Sequence, residues 1–267
     1  MTIHKVNDGL LSAARLALRV RQPPCLLCGN ESEEFGLCRG CHGDLPWQRE
    51  ACARCALPLP PGADGLVCGM CLRRPPPQDA ALAVFSYAPP IDFMVQRLKF
   101  RGELAWARTL GELMAREIMR RLAEQSQLAP PKTVQAQIIR PEIILPVPLH
   151  RRRLAERGYN QALQLARPLS RALAVPIDTS LCERIRPTPE QSGLGAGARR
   201  ANIRGAFALT AMSPSSLPIS LQGASIAIID DVFTTGSTAG ALAHLLRRAG
   251  ARHVSIWICA RATLSRV

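Results

Sequence analysis

One segment, Ile226–Thr238, limits the possible folds of this chain more than any other. It begins as an apolar strand and continues with two adjacent acids, Asp230 and Asp231. A loop rich in Thr, Gly and Ser then leads into a helix that begins near Ser237. In open α/β sheets, ligands bind beyond the carboxyl ends of the strands. Because the loop offers N–H groups and hydroxyls to a phosphate and the carboxylates suit a sugar diol, the segment predicts a phosphate- and sugar-binding site.

The candidate phosphate-binding residues share small side chains or hydroxyl groups: Thr234, Thr235, Gly236, Ser237 and Thr238. Glycine in such a loop allows the backbone to approach a ligand closely. A strand–turn–helix that used these residues only as helix caps would need one of them, whereas the segment combines two acids with four hydroxyls. The composition of the loop therefore favours ligand binding over capping.

Strands and helices alternate in the sequence around this segment. Apolar runs predict strands at Ile143–Val147, Ala224–Asp230 and Val254–Cys259, and helical patterns predict helices at Gly158–Ala174 and Ser237–Ala249. Strands that alternate with helices of this length are typical of a parallel sheet covered on both faces. We therefore predict an α/β fold for the second half of the chain.

The first part of the chain is dominated by cysteine. Eight of the ten cysteines form four C-x-x-C pairs: Cys25/Cys28, Cys38/Cys41, Cys52/Cys55 and Cys68/Cys71. Two such pairs can complete a tetrahedron of thiolates, so the pattern predicts two structural Zn²⁺ sites. Sequential sites would join the first pair with the second and the third with the fourth, whereas an interleaved cross-brace would join the first with the third. The spacing favours the sequential arrangement and leaves the other one open.

Composition divides the chain into three parts. We expect an N-terminal helical extension at residues 1–24, the zinc-binding module at 25–74 and the α/β domain at 78–267, with Arg73–Pro77 as a stiff linker. The sequence shows no secretory signal and no apolar stretch of the membrane-span type, so we expect a cytoplasmic protein without a membrane span. In that compartment, cysteines at this density favour metal binding over disulfides.

The chain is strongly basic, with 34 Lys and Arg against 20 Asp and Glu and a formal net charge of +14. Eleven arginines and four acids lie between His150 and Arg204. Such an excess attracts polyanions with strong salt dependence, and each guanidinium can pair two phosphate oxygens. Aromatic residues make up 4 % of the sequence, which weakens proposals that rest on the stacking of nucleic-acid bases.

The segment Asp230–Thr238 resembles the motif with which type I phosphoribosyltransferases bind 5-phosphoribosyl 1-pyrophosphate (PRPP), because a hydrophobic strand, an acid pair and Thr-Thr-Gly-Ser-Thr follow in that order. The resemblance implies the type I phosphoribosyltransferase fold. It also implies that Asp230 and Asp231 bind the ribose 2′- and 3′-hydroxyls and that Thr234–Thr238 bind the 5′-phosphate. Mg²⁺ would then bridge the pyrophosphate and the ribose.

Four further motifs lie along the chain: Leu98–Gly102, Pro146–Arg153, Arg157–Ala162 and Gln191–Phe207. Together with the C-x-x-C pairs, they resemble the ComF family over nearly the whole chain. Members of that family are linked to natural competence, in which incoming single-stranded DNA is handled. The resemblance implies PRPP binding, and it suggests single-stranded DNA or a competence helicase-like protein as partners.

In the type I fold, the loop after an early core strand contacts the pyrophosphate, and here that loop begins at Pro148. By this resemblance, the candidate pyrophosphate-binding residues are Arg151, Arg152, Arg153 and Arg157. The sequence does not tell which of the three consecutive arginines points inward. Asn160 and Gln161 are expected to help shape the site, and Arg186–Arg204 is expected to be a mobile loop that closes over bound PRPP.

Two functional hypotheses follow from these patterns. The first is a ComF-type protein that binds PRPP with Mg²⁺ and serves DNA uptake in natural competence or a related handling of nucleotides or DNA. If it turns over, it would be a phosphoribosyltransferase that transfers a pentosyl group to an acceptor. The alternative is a non-catalytic protein that senses PRPP, or that binds single-stranded DNA or a partner through the zinc module and the arginine-rich surface. The sequence names neither a catalytic residue nor the acceptor.

Overall fold

The computed structural model describes residues 23–63, 65–127, 138–187, 203, 205–210 and 221–263. These residues belong to two compact units, one ending at Asp44 and the other beginning at Leu45. Nearly all of the predicted N-terminal extension and most of the predicted closing loop Arg186–Arg204 lie outside the described residues. The closing loop and the domain bounds expected from composition therefore stay predictions.

The first unit is a small, turn-rich structure around four cysteines. Helix α1 (Arg39–Gly43) begins directly after Cys38, whose sulfur accepts a hydrogen bond from the N–H of Cys41 at 3.5 Å. The turns between the cysteines need left-handed backbone, which Gly29 provides with a φ angle of 79°. A unit of this size buries little apolar surface, so metal binding has to supply much of its folding free energy.

The second unit contains the remaining described helices and strands. Its helices are α2 (Gly69–Arg73), α3 (Ile91–Arg101), α4 (Leu104–Gln127), α5 (Arg151–Arg157), α6 (Gln161–Leu173) and α7 (Ser237–Arg248). Its strands are β1 (Ala80–Ser86), β2 (Ile143–Pro146), β3 (Cys182–Arg184), β4 (Phe207–Leu209), β5 (Ser225–Phe233) and β6 (His253–Arg261). None of the described helices is both long enough and apolar enough to cross a membrane.

Four strands form a parallel sheet in the order β1-β6-β5-β2, and β3 pairs with β4 in a separate antiparallel sheet. The central strands β5 and β6 are buried almost throughout, as the continuous apolar runs of a sheet covered on both faces require. Helices α4, α6 and α7 pack against the sheet. The predicted fold class, a parallel sheet flanked by helices with a small Cys-rich module, is confirmed.

The element bounds differ from those predicted in two places that matter to the site. Strand β5 continues to Phe233, so the acid pair lies within the strand and not after it. The chain after β2, expected as a loop that contacts the pyrophosphate, forms helix α5 from Arg151 onward. Gly158 ends α5 with a φ angle of 79°, and Asn160 caps α6 by accepting hydrogen bonds from the next N–H groups. These two residues place the start of α6 at Gln161, three residues after the predicted start at Gly158.

Candidate functional site

The acid pair, Asp230 and Asp231, lies near the carboxyl end of β5, a central strand of the parallel sheet. Oδ1 of Asp230 accepts a hydrogen bond from the N–H of Asp231 at 2.9 Å, and Oδ1 of Asp231 accepts one from the N–H of Val232 at 2.6 Å. The other carboxylate oxygen of Asp231, Oδ2, is buried and has no hydrogen-bond partner among the described residues. Because buried acceptors normally have a donor, this oxygen fits a hydroxyl or a cation supplied by a ligand.

Lys99, near the end of α3, forms an ion pair with the acid pair, its Nζ lying 2.9 Å from Oδ1 of Asp231. Burial by itself would lower the pKa of Lys99, but the carboxylate of Asp231 raises it above its usual value. Burial and then the charge of Asp231 raise the pKa of Asp230 to about 7, and Lys99 only partly offsets this. Near neutral pH the carboxylate of Asp230 is therefore one whose charge a proton or a cation can neutralise.

The segment Thr234–Thr238, which we name the phosphate loop after its predicted ligand, connects β5 to α7. Gly236 has a φ angle of 75°, and a Cβ atom at this position would lie 2.4 Å from Cζ of Phe233, so the loop requires glycine here. The hydroxyl oxygens of Thr235 and Ser237 lie 2.7 Å apart. The N-cap residue of α7 is Gly236, which makes no side-chain hydrogen bond to the helix. A helix N-terminus of this kind can bind a phosphate through its N–H groups.

A cavity of about 620 Å³ opens between the corner that joins α3 to α4 and helix α5. Its lining residues are Lys99, Phe100, Arg101, Gly102, Arg153, Glu156, Arg157 and Tyr159. Since Lys99 both lines the cavity and binds Asp231, the cavity adjoins the acid pair. Its size is that of a small-molecule site, and its four cationic side chains against one carboxylate suit an anion such as a diphosphate.

The four candidate arginines occupy different positions. Arg153 and Arg157 lie one turn apart on α5 and line the cavity. Arg152 is exposed and pairs with Glu156 at 2.9 Å, and Arg151 is exposed as well. Of the three consecutive arginines, Arg153 is thus the one that faces the cavity.

The residues that follow α5 hold the arginine-bearing segment in place. The hydroxyl of Tyr159 donates a hydrogen bond to a backbone carbonyl of α3. Nη1 of Arg157 donates to Oε1 of Gln161 at 2.7 Å, and Nδ2 of Asn160 donates to the carbonyl of Val147 at 3.0 Å. Asn160 and Gln161 therefore shape the cavity by fixing the backbone and the guanidinium that border it.

The sequence did not single out two basic residues that interact with the acid pair: Lys99, through its ion pair with Asp231, and Arg184, whose charge acts on Asp230. Arg184 ends β3, and burial and then the charge of Arg153 lower its pKa, whereas Asp230 raises it. A signal for Lys99 was present, because lysine occurs at only three positions among 34 basic residues. Nothing in the sequence marked Arg184, since its position depends on the pairing of β3 with β4.

The paired cysteines form two clusters, and in each of them the four Sγ atoms lie within 4.8 Å of one another. The first cluster is Cys25, Cys28, Cys38 and Cys41, and the second cluster is Cys52, Cys55, Cys68 and Cys71. A tetrahedral zinc site with Zn–S bonds of about 2.3 Å requires sulfurs about 3.8 Å apart. The distances are 3.6 Å from Cys28 to Cys38 and 3.8 Å from Cys55 to Cys68. Both clusters fit Zn²⁺, and the pairing of C-x-x-C units is sequential.

These features define a class of protein: a parallel α/β domain with an acid pair and a phosphate loop at the carboxyl edge of its sheet, in a chain with two Cys₄ clusters. Comparison with protein families supports the metal sites, since the family described as "Double zinc ribbon domain" matches residues 20–72. The family and the cysteine geometry together indicate two Cys₄ zinc-binding sites.

Curated relatives cover most of the chain. DNA utilization protein YhgH of Salmonella typhi is 35 % identical over 227 residues, which cover 85 % of this chain and 91 % of that protein. Competence protein F of Haemophilus influenzae is 35 % identical over 240 residues, which cover 89 % and 96 %. The chain therefore belongs to the ComF family, as the sequence motifs predicted. Among solved structures it is similar to the purine phosphoribosyltransferase from Pyrococcus horikoshii Ot3, with 15 % identity, coverage of 57 % and 86 %, and a TM-score of 0.28.

Proposed function

We propose that this protein binds PRPP together with Mg²⁺ at the carboxyl edge of β5. The observation that carries the proposal is the grouping of an acid pair, a phosphate loop and a cationic cavity, linked by the ion pair between Lys99 and Asp231. Two carboxylates would repel a phosphate ion on its own. A phosphorylated sugar with a diphosphate allows the carboxylates to face hydroxyls while the anionic groups occupy the loop and the cavity.

Each part of PRPP then has a partner. Asp230 and Asp231 accept hydrogen bonds from the ribose 2′- and 3′-hydroxyls, and the phosphate loop binds the 5′-phosphate. The unpartnered Oδ2 of Asp231 supports this arrangement, because a hydroxyl would supply the missing donor. The pyrophosphate lies in the cavity, where Arg153 and Arg157 can each pair two of its oxygens.

Mg²⁺ would be held at the same edge by carboxylate and phosphate oxygens, which are the ligands it prefers. Asp230 fits this role. Its pKa of about 7 shows that the protein by itself stabilises the negative charge of this carboxylate poorly. When bound, the ion would neutralise charge on the pyrophosphate. Lys99 holds Asp231 in place through its ion pair, and the arginines of α5 orient the pyrophosphate.

If the site turns over, the bond between C1 of the ribose and the pyrophosphate oxygen breaks, and the pyrophosphate leaves with the electron pair. An acceptor nucleophile then forms the new bond to C1. The cationic lining of the cavity would stabilise the charge that develops on the leaving group. Release of pyrophosphate in the presence of candidate acceptors would distinguish such a pentosyltransferase from a protein that only binds PRPP.

Calorimetric titration of PRPP with Mg²⁺ into the zinc-loaded protein tests the binding proposal. We expect the wild type to bind and the Asp230→Asn/Asp231→Asn variant to bind roughly a hundredfold more weakly, since two hydrogen bonds to charged groups are worth about 1.5 kcal/mol each. Asp44→Asn, which removes one carboxylate in the first unit, is the control and should bind like the wild type. A wild type that does not bind, or a double variant that binds equally well, would contradict the proposal.

We further propose that PRPP binding serves DNA uptake in natural competence or a related handling of nucleotides or DNA. This part rests on the relatives, whose names are DNA utilization protein and Competence protein F. Zinc sites made of cysteine thiolates are favoured in a reducing compartment, so the proposal places the protein in the cytoplasm.

A second candidate function is sensing of PRPP without turnover, with single-stranded DNA or a helicase-like protein as the partner. The observation that favours it is Phe100, which is 63 % exposed and whose ring lies 5.8 Å from the guanidinium carbon of Arg157 on the same cavity. An exposed aromatic ring beside arginine is suited to single-stranded nucleic acid. Fluorescence anisotropy with an oligonucleotide tests this: affinity should fall at least about tenfold between roughly 50 and 200 mM salt. Binding that is absent or insensitive to salt would remove DNA as a direct ligand.

A further inference from the structure

The second cysteine cluster is bound directly to the α/β domain through its first knuckle, the turn Cys52–Ala56. Four consecutive backbone carbonyls of this knuckle accept hydrogen bonds from the body of the unit: Ala53 from the N–H of Ala81 at 2.8 Å, Arg54 from Gln78 at 2.8 Å, Cys55 from Arg261 at 3.1 Å and Ala56 from Gln48 at 2.7 Å. Three of the four donors are side chains, and all three are buried. The knuckle is therefore fixed to the domain at every residue after Cys52.

Arg261 differs from the other donors because it also holds the phosphate loop. It is the last residue of β6 and is 8 % exposed. Its Nη1 donates to the carbonyl of Phe233 at 2.9 Å and to that of Thr234 at 2.6 Å, and also to the carbonyl of Ala262. Phe233 ends β5, and Thr234 is the first residue of the phosphate loop. One rigid guanidinium thus joins a carbonyl of a zinc-ligating cysteine to the start of the loop.

The position of this guanidinium depends on both of its neighbours. A buried charge is tolerated when its donors are satisfied and opposite charge is near. Four thiolates with one Zn²⁺ carry a net charge of about −2, which favours a guanidinium beside the knuckle. Without the metal, the four cysteines would no longer be held together, and the carbonyl of Cys55 would be held from the domain side alone. The guanidinium would then have a less firmly placed anchor at the knuckle while still bonded to the loop.

We propose that Arg261 is a positioning residue through which the second zinc site holds the phosphate loop in its binding geometry. The loop then depends on zinc in the second cluster and not on zinc in the first. One of the two tests measures PRPP affinity, and that test rests on the proposed binding of PRPP at this loop. The movement of the loop itself can be measured without any ligand.

The ligand-free test uses a Cys38→Ser/Cys41→Ser variant, which should hold one zinc ion per chain, in the second cluster. Its zinc is removed with a chelator and then restored, and hydrogen exchange is followed by mass spectrometry. Removal should speed exchange of the peptide that covers the phosphate loop at least about tenfold, and restored zinc should reverse this. Peptides from β2 report the loss of global stability that follows zinc removal, so the control is the same experiment on a Cys38→Ser/Cys41→Ser/Arg261→Lys variant, whose loop should exchange fast with or without zinc. Loop exchange that does not change with zinc, or that responds to zinc equally in this control, would overturn the proposal.

The ligand-dependent test is a double-mutant cycle on PRPP affinity in the presence of Mg²⁺. It combines Cys68→Ser/Cys71→Ser, which removes the second zinc site, with Arg261→Lys, which keeps the charge but cannot bridge the knuckle and the loop. Each change alone should weaken binding about tenfold, and together they should weaken it little further, because both break the same connection. Arg261→Lys should still contain two zinc ions, which separates positioning from metal loss. Effects that multiply in the combined variant would overturn the proposal.

The two tests separate the proposals from each other. If the wild type does not bind PRPP, the proposed function fails, and the exchange experiment still decides whether zinc holds the loop. If the protein without the second zinc ion binds PRPP as tightly as the zinc-loaded protein, and its loop exchanges at the same rate, the role of Arg261 fails and the proposed function stands. A melting curve and zinc analysis of each variant confirm that a folded protein is compared.

Discussion

The two cysteine clusters have the same ligands and the same C-x-x-C spacing, but their surroundings differ. In the first cluster, Cys28 is exposed and Cys25 is the one buried member, in a unit that ends at Asp44. In the second cluster, three of the four cysteines are buried, and they belong to the unit that contains the sheet. The same metal chemistry thus folds a separate module in one case and completes part of the α/β domain in the other.

The residue that follows the first C-x-x-C pair of each cluster shows how this difference arises. Gly29 and Ala56 occupy the same place in the knuckle, since the N–H of each donates to the carbonyl of the pair's first cysteine, at 2.9 and 2.8 Å. Both have left-handed backbone, which glycine adopts easily and alanine does not. A Cβ atom on Gly29 would meet nothing within 4 Å, whereas Ala56 is fully buried in the main core. The second knuckle therefore tolerates backbone strain because its methyl group packs against the domain.

The largest expected difference between the two clusters is in how the removal of one C-x-x-C pair affects the stability of the α/β domain. Cys68→Ser/Cys71→Ser should lower the free energy of unfolding of the α/β domain by more than about 3 kcal/mol, because buried ligands and metal are lost together. Cys38→Ser/Cys41→Ser should leave the melting transition of that domain nearly unchanged. Calorimetry with zinc analysis measures both. Equal losses in the two variants would mean that both clusters support the domain in the same way.

A pair of glycine substitutions tests the same contrast at the level of one methyl group. Gly236→Ala should cost about 2–4 kcal/mol, since its Cβ atom would clash with Phe233 in addition to the positive φ angle. Gly29→Ala, with a similar φ angle and open space, should cost only about 1 kcal/mol. Urea unfolding monitored separately for the two units measures the difference. Similar costs at both positions would show that the phosphate loop is not closely packed.

The acid pair should give the α/β domain a stability cost that the first unit does not have. Because the pKa of Asp230 is raised to about 7 in the folded protein, folding favours the protonated carboxyl. The stability that this contributes is present at low pH and is lost as the pH rises through about 7. Asp230→Asn should therefore stabilise the domain more at pH 8 than at pH 5, by roughly 1–2 kcal/mol, while it weakens PRPP binding. Thermal melts of the wild type and the variant at the two pH values measure this, and a gain that is equal at both pH values would contradict it.

The smallest expected effect is on the order in which the zinc ions leave. With a chromogenic chelator, the wild type should release one zinc ion quickly and the other slowly, since an attacking chelator reaches an exposed cysteine more easily than a buried one. The Cys38→Ser/Cys41→Ser variant should show only the slow phase. A single phase in the wild type, or a fast phase that survives in this variant, would contradict the difference in accessibility.

Much of the fold was readable from the sequence because its signals are local. The alternation of apolar runs with helical patterns identified three strands of the parallel sheet, and the spacing of C-x-x-C pairs favoured the cysteine grouping that the structure shows. The bounds of β5 were less accessible, because the acids at its end are not typical strand residues and are held there by pairing with β6. Helix α5 was missed because the chain after β2 was expected to be a loop by resemblance to the type I fold.

The sequence predicts the site residues that lie together in one segment, but not those that the fold brings in from distant segments. The phosphate loop and the acid pair lie in one stretch of chain, so their residues could be named in advance. Lys99 and Arg184 come from segments more than forty residues away from that stretch, and burial defines their role. Arg261 could not have been found at all from sequence, because it looks like one more arginine at the end of a strand.

Hydrogen exchange of the zinc-loaded wild type with and without PRPP and Mg²⁺ tests the central claim most directly, since it both detects binding and locates it. The account predicts added protection in the phosphate loop, at the α3–α4 corner around Lys99 and in the first turns of α5. Peptides from the first cluster should not change. Protection that is absent from the carboxyl edge of β5, or that appears at the first cluster instead, would contradict the account.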